Sequence, residues 1–289
     1  MNIIFTNKPI ATVLSRRLKE KEKGALDMLK TPKPAKETLA KEELYRAPAL
    51  DKGLDILELL SGEPGGLTRA EIVKSMGRSP GEVYRMLERL VVRDYVNRSR
   101  EGDRYSLSMK LFVLAHRHPP VRRLVTRALP LMDEFCRSAG QSCHLVAPDR
   151  DAAAVVGHAS PPGNWEFGIR IGARVDLISS GSGMTLLAFQ STEEREALEE
   201  RWARNPEKLA ALLGVEAELA AFRKTGWRVG DSSQIVGVKD ISAPVLSPDG
   251  HAIAALTCPY IQRLDAGGYP KIEETLTLLR ETVRSLSLS

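Results

Sequence analysis

Three groups of side chains in this sequence have types and spacings that could do chemistry. The first is Ser79, Tyr84, Arg85 and Arg89, all within Ser79 to Val92. A hydroxyl at a helix start favours phosphate, and a guanidinium can grip a guanine edge through two hydrogen bonds. The second is Arg98, Arg100 and Arg104, which place basic charge on two short runs joined by Ser99 to Asp103. A hairpin charged in this way suits phosphate or the minor groove. Solvated surface charge is the plain alternative for both groups, and packing for Tyr84. The third is Ser182, in Ser180-Gly181-Ser182-Gly183-Met184. Glycine-flanked amides at a helix start suit a carboxylate and Ser182 would add a hydroxyl; a tight strand-to-helix turn without a ligand is the alternative.

Other chemistries find less support. Ser180 and Met184 stand where a G-x-S-x-G nucleophile elbow needs glycines. His144, His158 and His251 show no metal spacing, and no GxxxxGK[ST] phosphate loop occurs. Cys136, Cys143 and Cys258 form neither a CxxC pair nor a zinc pattern, and an odd count suits a reducing compartment. No catalytic residue, metal or cofactor is expected, and the chain is not read as an enzyme.

The elements that must position the first two groups are well marked. Leu50, Leu54, Leu57 and Leu60 make a helical stripe that ends at Ser61-Gly62-Glu63-Pro64. Thr68-Arg69-Ala70-Glu71 is a capping box opening a helix to about Met76. After Gly77, Ser79-Pro80-Gly81-Glu82 repeats the signal, with Ser79 as cap, and Val83, Met86, Leu87 and Leu90 form the buried stripe of the next helix. Runs at Asp94 to Arg98 and Arg104 to Leu107 predict a hairpin. Two capped helices around a glycine turn, followed by a hairpin, meet the specification of a winged helix-turn-helix. Thr68 and Arg69, at the start of its first helix, join the candidate DNA contacts.

Ser108 to His118 reads as a linker helix ending at Pro119-Pro120, and Val121 to Ser138 as a longer helix. Strands are predicted near 142–147, 153–158, 165–171, 241–246 and 252–258. Helices are predicted near 183–189, 192–203, 215–224 and 272–286. An antiparallel sheet covered by helices is the natural assembly, so the fold class is α+β.

The 289 residues carry a formal net charge of +5. The first 46 residues hold about five net positive charges and residues 119 to 289 about two net negative ones, so one end is suited to phosphate. No stretch reaches the roughly 18 apolar residues of a membrane span, so a cytoplasmic address without membrane contact is expected. Residues 1–46, with prolines at Pro32 and Pro34, read as a charged extension with one helix from about Ile10 to Leu29; a DNA-binding or dimer-clasping arm is the alternative.

The segment APALDKGLDILELL, then GGLTRAEIVKSMGRSPGEVYRMLERLVVRDYVNR and DRYSLSMKLFVLA, resembles the N-terminal domain of the IclR family of transcriptional regulators. GARVDLISSGSGMTLLAF at Gly172 to Phe189 and GVKDISAPVLSPDGHAIAALTCP at Gly237 to Pro259 resemble that family's effector domain. The resemblance covers about residues 47 to 289. It implies a winged helix-turn-helix over 47–109, a linker helix over 110–121 and a GAF-like α/β effector-binding domain over 122–289. It also implies dimers or dimers of dimers on palindromic double-stranded operators, and effectors that are small organic acids or aromatic catabolites. By motif, the pocket positions are Asn164, Phe167, Gly181, Ser182, Gly183, Asp240 and Thr257. The chain departs from the family where Asp240 follows Gly230-Asp231-Ser232-Ser233 and where Met184 replaces a usual lysine. Asp240 would disfavour an anion unless neutralised, which leaves neutral, aromatic and cationic effectors open, with Trp165 and Phe167 packing them. Repression is the expected sign. A winged helix that binds protein while the second domain senses a small molecule is the alternative.

Overall fold

A computed structural model describes residues 47–99, 103–117, 119–163, 166–262 and 268–287. The extension over 1–46, Arg100, Asn164 and Trp165 lie outside the described residues. Contacts divide the chain into two compact units that meet between Phe112 and Val113.

In the first unit α1 (Pro48–Ser61) is followed by β1 (Leu67–Thr68), α2 (Arg69–Met76) and α3 (Pro80–Val92). A three-stranded sheet of β2 (Val96–Arg98), β3 (Arg104–Leu107) and β1, in the order β1-β3-β2, completes it. The hairpin is as predicted, and β1 is an unpredicted third strand, because two residues carry no periodicity. Ile56, Leu60, Ile72, Val83, Leu87, Val96 and Tyr105 form the core. The α1 stripe therefore differs from the leucine pattern: Leu50 and Leu54 are exposed, and Ile56 and Leu60 are the buried pair.

The α4 helix (Lys110–Arg117) bears the boundary between the units. The second unit begins with α5 (Pro119–Ala139), whose first residue is the first of the two prolines expected to close the linker helix. Proline lacks an N–H that a first turn leaves unbonded anyway, so it opens a helix as readily as it ends one. A six-stranded antiparallel sheet follows: β4 (Cys143–Asp149), β5 (Ala152–Ala159), β6 (Arg174–Val175), β7 (Arg228–Asp231), β8 (Val238–Leu246) and β9 (Ala252–Ile261). Their spatial order is β6-β5-β4-β9-β8-β7. On one face α5 and α10 (Ile272–Ser287) cover Leu145, Ile241, Ala243 and Leu256. On the other, α6 (Gly181–Ala188), α7 (Thr192–Trp202), α8 (Pro206–Gly214) and α9 (Glu216–Thr225) pack with Val146, Val155 and Ala255.

The strand expected over 165–171 is not one; residues 166–173 run irregularly into the two-residue β6. Val155 bonds Gly172 and Ala173 of this stretch, and among the described residues Phe167, Ile169 and Ile171 pair in no ladder. The α8 helix and β7 were not predicted.

Candidate DNA-recognition surface and effector cavity

The turn between α2 and α3 depends on Gly77. Its φ of 60° is left-handed, and its N–H closes α2 on the Val73 and Lys74 carbonyls. At the start of α2 the capping box is complete. Glu71 N–H donates to Thr68 Oγ1, and the Thr68 N–H and hydroxyl both donate to the Glu71 carboxylate at 2.7 and 2.9 Å. These bonds hold the Glu71 pKa below the usual carboxylate range. The Thr68 hydroxyl is thereby committed to the helix.

Ser79 occupies the cap position of α3 but does not cap through its side chain. Its hydroxyl donates instead to the Glu82 carboxylate at 2.9 Å. Lys52 of α1 also holds Glu82, and these two bonds push its pKa down to about 2. The expected cap has become a clamp between α1 and α3.

With Val83 and Leu87 buried, α3 turns Tyr84, Arg85 and Arg89 outward. Arg85 and Arg89 are exposed and, among the described residues, carry no ion pair or side-chain hydrogen bond. Tyr84 lies under the Arg69 guanidinium, 5.5 Å from its ring centroid. The wing arginines are more committed. Arg98 bonds Asp103 at 3.0 Å and pairs with Glu88 at 3.6 Å, and Arg104 donates to the Gly66 carbonyl at 2.9 Å.

In the second unit a cavity of about 280 Å³ is lined by five of the seven expected residues: Phe167, Gly181, Ser182, Asp240 and Thr257. Gly183 does not line it; a Cβ there would meet the Asp176 carbonyl oxygen at 2.3 Å and Leu177 Cα at 2.5 Å. Its role is close packing of α6 on the preceding loop. Its N–H, expected to greet a carboxylate, donates to Ser180 Oγ at 3.0 Å.

Sequence reading missed the polar row behind this cavity. Strand register aligns His158, His144, Thr257, Ser242 and Arg228 across five strands. Thr257 Oγ1 lies 2.8 Å from Ser182 Oγ and 2.7 Å from Ser242 Oγ; Ser242 in turn lies 2.9 Å from Thr185 Oγ1. His144 Nε2 sits 3.3 Å from Ser182 Oγ. Burial, and secondarily His158, lower the His144 pKa to about 4, so its ring is neutral at pH 7. The available signal was a polar residue in each of three apolar strands, at positions that alternation sends inward.

Asp240 stands at the cavity edge. Burial raises its carboxyl pKa, while Arg228 and the Gly181 N–H, which it accepts, oppose the rise. Arg228 is mostly buried, lies 5.6 Å from the Phe222 ring and 3.8 Å from Glu218, and lacks hydrogen-bond partners for Nε and Nη1 among the described residues. Cys136 and Cys143 lie 3.6 Å apart on the opposite face of the sheet, and the Cys143 and Cys258 thiols have pKa values raised well above normal, the first by its bond to Cys136 and the second by burial.

Exposed arginines on a helix-turn-helix, and a second domain with a polar-walled cavity, define a transcriptional regulator with a DNA-binding domain and an effector-binding domain. Residues 49–100 match the IclR helix-turn-helix domain and residues 120–288 the bacterial transcriptional regulator IclR C-terminal domain: the chain belongs to the IclR family. The glycerol operon regulatory protein of Streptomyces griseus is 26% identical over 242 residues, covering 83% of this chain and 94% of that one. The Escherichia coli HTH-type transcriptional regulator KdgR is 29% identical over 214 residues, covering 72% and 80%. An IclR homolog from Microbacterium hydrocarbonoxydans, complexed with 4-hydroxybenzoate, has a TM-score of 0.67 at 22% identity, covering 83% and 98%. The Thermotoga maritima IclR has a TM-score of 0.62 at 22% identity, covering 83% and 97%. The winged helix and GAF-like α/β fold are those of the family, and these curated relatives are transcriptional regulators. Among the described residues no helix is long and apolar enough to cross a membrane.

Proposed function

We propose that the protein binds operator DNA in a sequence-specific manner, with α3 in the major groove and the β2–β3 wing on the backbone, and that a small catabolic intermediate in the cavity alters that binding. The observation that carries this reading is the freedom of Arg85 and Arg89 among the described residues: two exposed guanidiniums on a helix that buries Val83 and Leu87 in the fold. Tyr84, Arg69 and Ser79 flank them, and Arg98 and Arg104 supply the wing. A division near Phe112 supports a DNA-binding domain over 47–109, a joining helix over 110–121 and an effector domain over 122–289. The protein acts as a dimer or dimer of dimers, as family membership favours, so that two recognition helices meet two operator half-sites. It represses in its unliganded default, and the aromatic and organic acids implied by the resemblance are the first effectors to screen.

Fluorescence anisotropy on DNA upstream of its own gene, at about 0.15 M salt with excess competitor DNA, tests the reading. Saturable, sequence-selective binding that weakens steeply with salt is expected. Binding without selectivity there and in a genome-wide DNA selection would overturn it and favour a protein-binding winged helix. Repression predicts higher promoter output when the gene is deleted.

A further inference from the structure

The polarity of the cavity wall narrows the ligand, given that the cavity is the effector site. Each hydroxyl in the polar row has one proton to give. Thr185 Oγ1 lies 2.9 Å from the Gly181 carbonyl oxygen and 2.9 Å from Ser242 Oγ. Thr185 is the donor in both contacts and shares its one proton between them. The Ser242–Thr257 and Thr257–Ser182 contacts can run either way, and His144 Nε2 meets Ser182 Oγ in either tautomer. The neutral His144 keeps its Nδ1 buried without a partner, in a ring that lines the cavity.

The amides at the start of α6 that would greet an anion are engaged. Gly183 N–H serves Ser180, and Gly181 N–H serves Asp240, so the protein's own carboxylate stands at the anion-attracting start of α6. Arg228 sits near Asp240, is not one of the residues lining the cavity, and its charge opposes the rise that burial causes in the Asp240 pKa. On this side the wall offers acceptors: the Asp240 carboxylate and the spare lone pairs of Ser182 and Thr257. Arg228 offsets part of the Asp240 charge, so an ammonium group gains less over a hydroxyl than it would beside a bare carboxylate, and a carboxylate still meets repulsion.

We propose that the effector is a small, neutral, polyhydroxylated molecule that donates hydroxyl protons to Asp240 and its neighbours in the cavity, in place of the acid that the resemblance implies. The volume of about 280 Å³ is at the small end for organic ligands, in keeping with a short polyol.

Calorimetric titration of the purified full-length protein with matched probes tests this. Erythritol, ribitol and mannitol are compared with erythronate, ribonate and mannonate, in which one CH₂OH becomes a carboxylate, and with the corresponding terminal amino alcohols. At least one polyol is expected to bind about tenfold or more tightly than both of its charged counterparts, the range of a hydrogen bond to a charged group. Asp240→Ala frees the Gly181 N–H and uncovers the charge of Arg228, so it should reverse the preference toward the aldonate. Asp240→Asn, which keeps the side-chain volume, should shift it the same way by less, with thermal melts confirming that both variants fold. An aldonate or amino alcohol that binds wild type at least as tightly as its polyol overturns the inference and leaves the effector reading standing. Failure of all three classes to bind also overturns it. If, in addition, no member of a catabolite panel that includes aromatic acids alters operator anisotropy, the effector reading falls with it.

Discussion

On α3 Arg85 and Arg89 are exposed and, among the described residues, unpaired, whereas the polar row at the cavity is buried and bonded together. Arg85 and Arg89 owe their place to a single helix, whose buried stripe alone decides which side chains face out. The cavity wall takes His144 from β4, Ser182 from α6 and Thr257 from β9, and Ser242 from β8 stands behind them. A surface built this way can lose its function without losing the fold. A buried network cannot be altered without the fold responding.

The sharpest way to break this contrast is the double substitution Arg85→Ala with Arg89→Ala. Two bidentate contacts of about 1–3 kcal/mol each predict that specific operator affinity falls by about 2–6 kcal/mol, while binding to random DNA weakens less. The thermal midpoint should not change; a lowered one would place these arginines in the fold and undo the comparison.

Acid separates the two regions next. His144 binds a proton at pH about 4 in the folded state against an ordinary value of 6.5. Between those values the unfolded chain holds more protons, so the stability present above pH 6.5 is lost as pH falls toward 4, by about 3 kcal/mol in all. Trp165, Trp202 and Trp227 all lie in the second unit, so tryptophan-detected urea melts at pH 7 and pH 4 report it, and His144→Gln should flatten the difference. Glu82 on α3 titrates in another window: its lowered pKa, about 2 against 4.5, contributes stability present above pH 4.5 and lost as pH falls toward 2.

Thr257→Val removes a hydroxyl that Ser182 and Ser242 both bond. A loss of about 1–3 kcal/mol in denaturant melts is expected, together with weaker ligand binding. The smallest effect expected is that of Thr68→Ala, which removes the capping hydroxyl of α2 at a cost of about 1 kcal/mol and should leave sequence preference on DNA intact, because that hydroxyl is already bonded within the helix.

The same contrast explains what the sequence made legible. The helices α2 and α3 are written locally, in Thr68-x-x-Glu71, Gly77 and Pro80, and the groove-facing residues follow from their period. Ser79 still departed from expectation, because Lys52, distant along the chain, drew Glu82 into a different set of bonds. The strand β7 spans Arg228–Asp231, just after a turn glycine, and becomes a strand through its pairing with β8. Arg228 could not be placed without that pairing, and with it went the partner of Asp240. Five cavity residues were reached through family motifs, but His144 and Ser242 belong to runs whose only message is a buried strand. For α8 the signal was present and unused, since Asn205 caps it ahead of Pro206.

The close seat of Gly183 bears on how such a sensor can change over generations. A side chain at that position runs into backbone atoms of Asp176 and Leu177, which have nowhere to go, so every substitution there is judged first as a folding defect. Asp240 and Arg228 are held through side chains, and Ser233 and Gln234 at the cavity mouth are exposed. New ligand preferences are therefore reachable by single substitutions around the rim, while the floor on which α6 rests stays closed to trial.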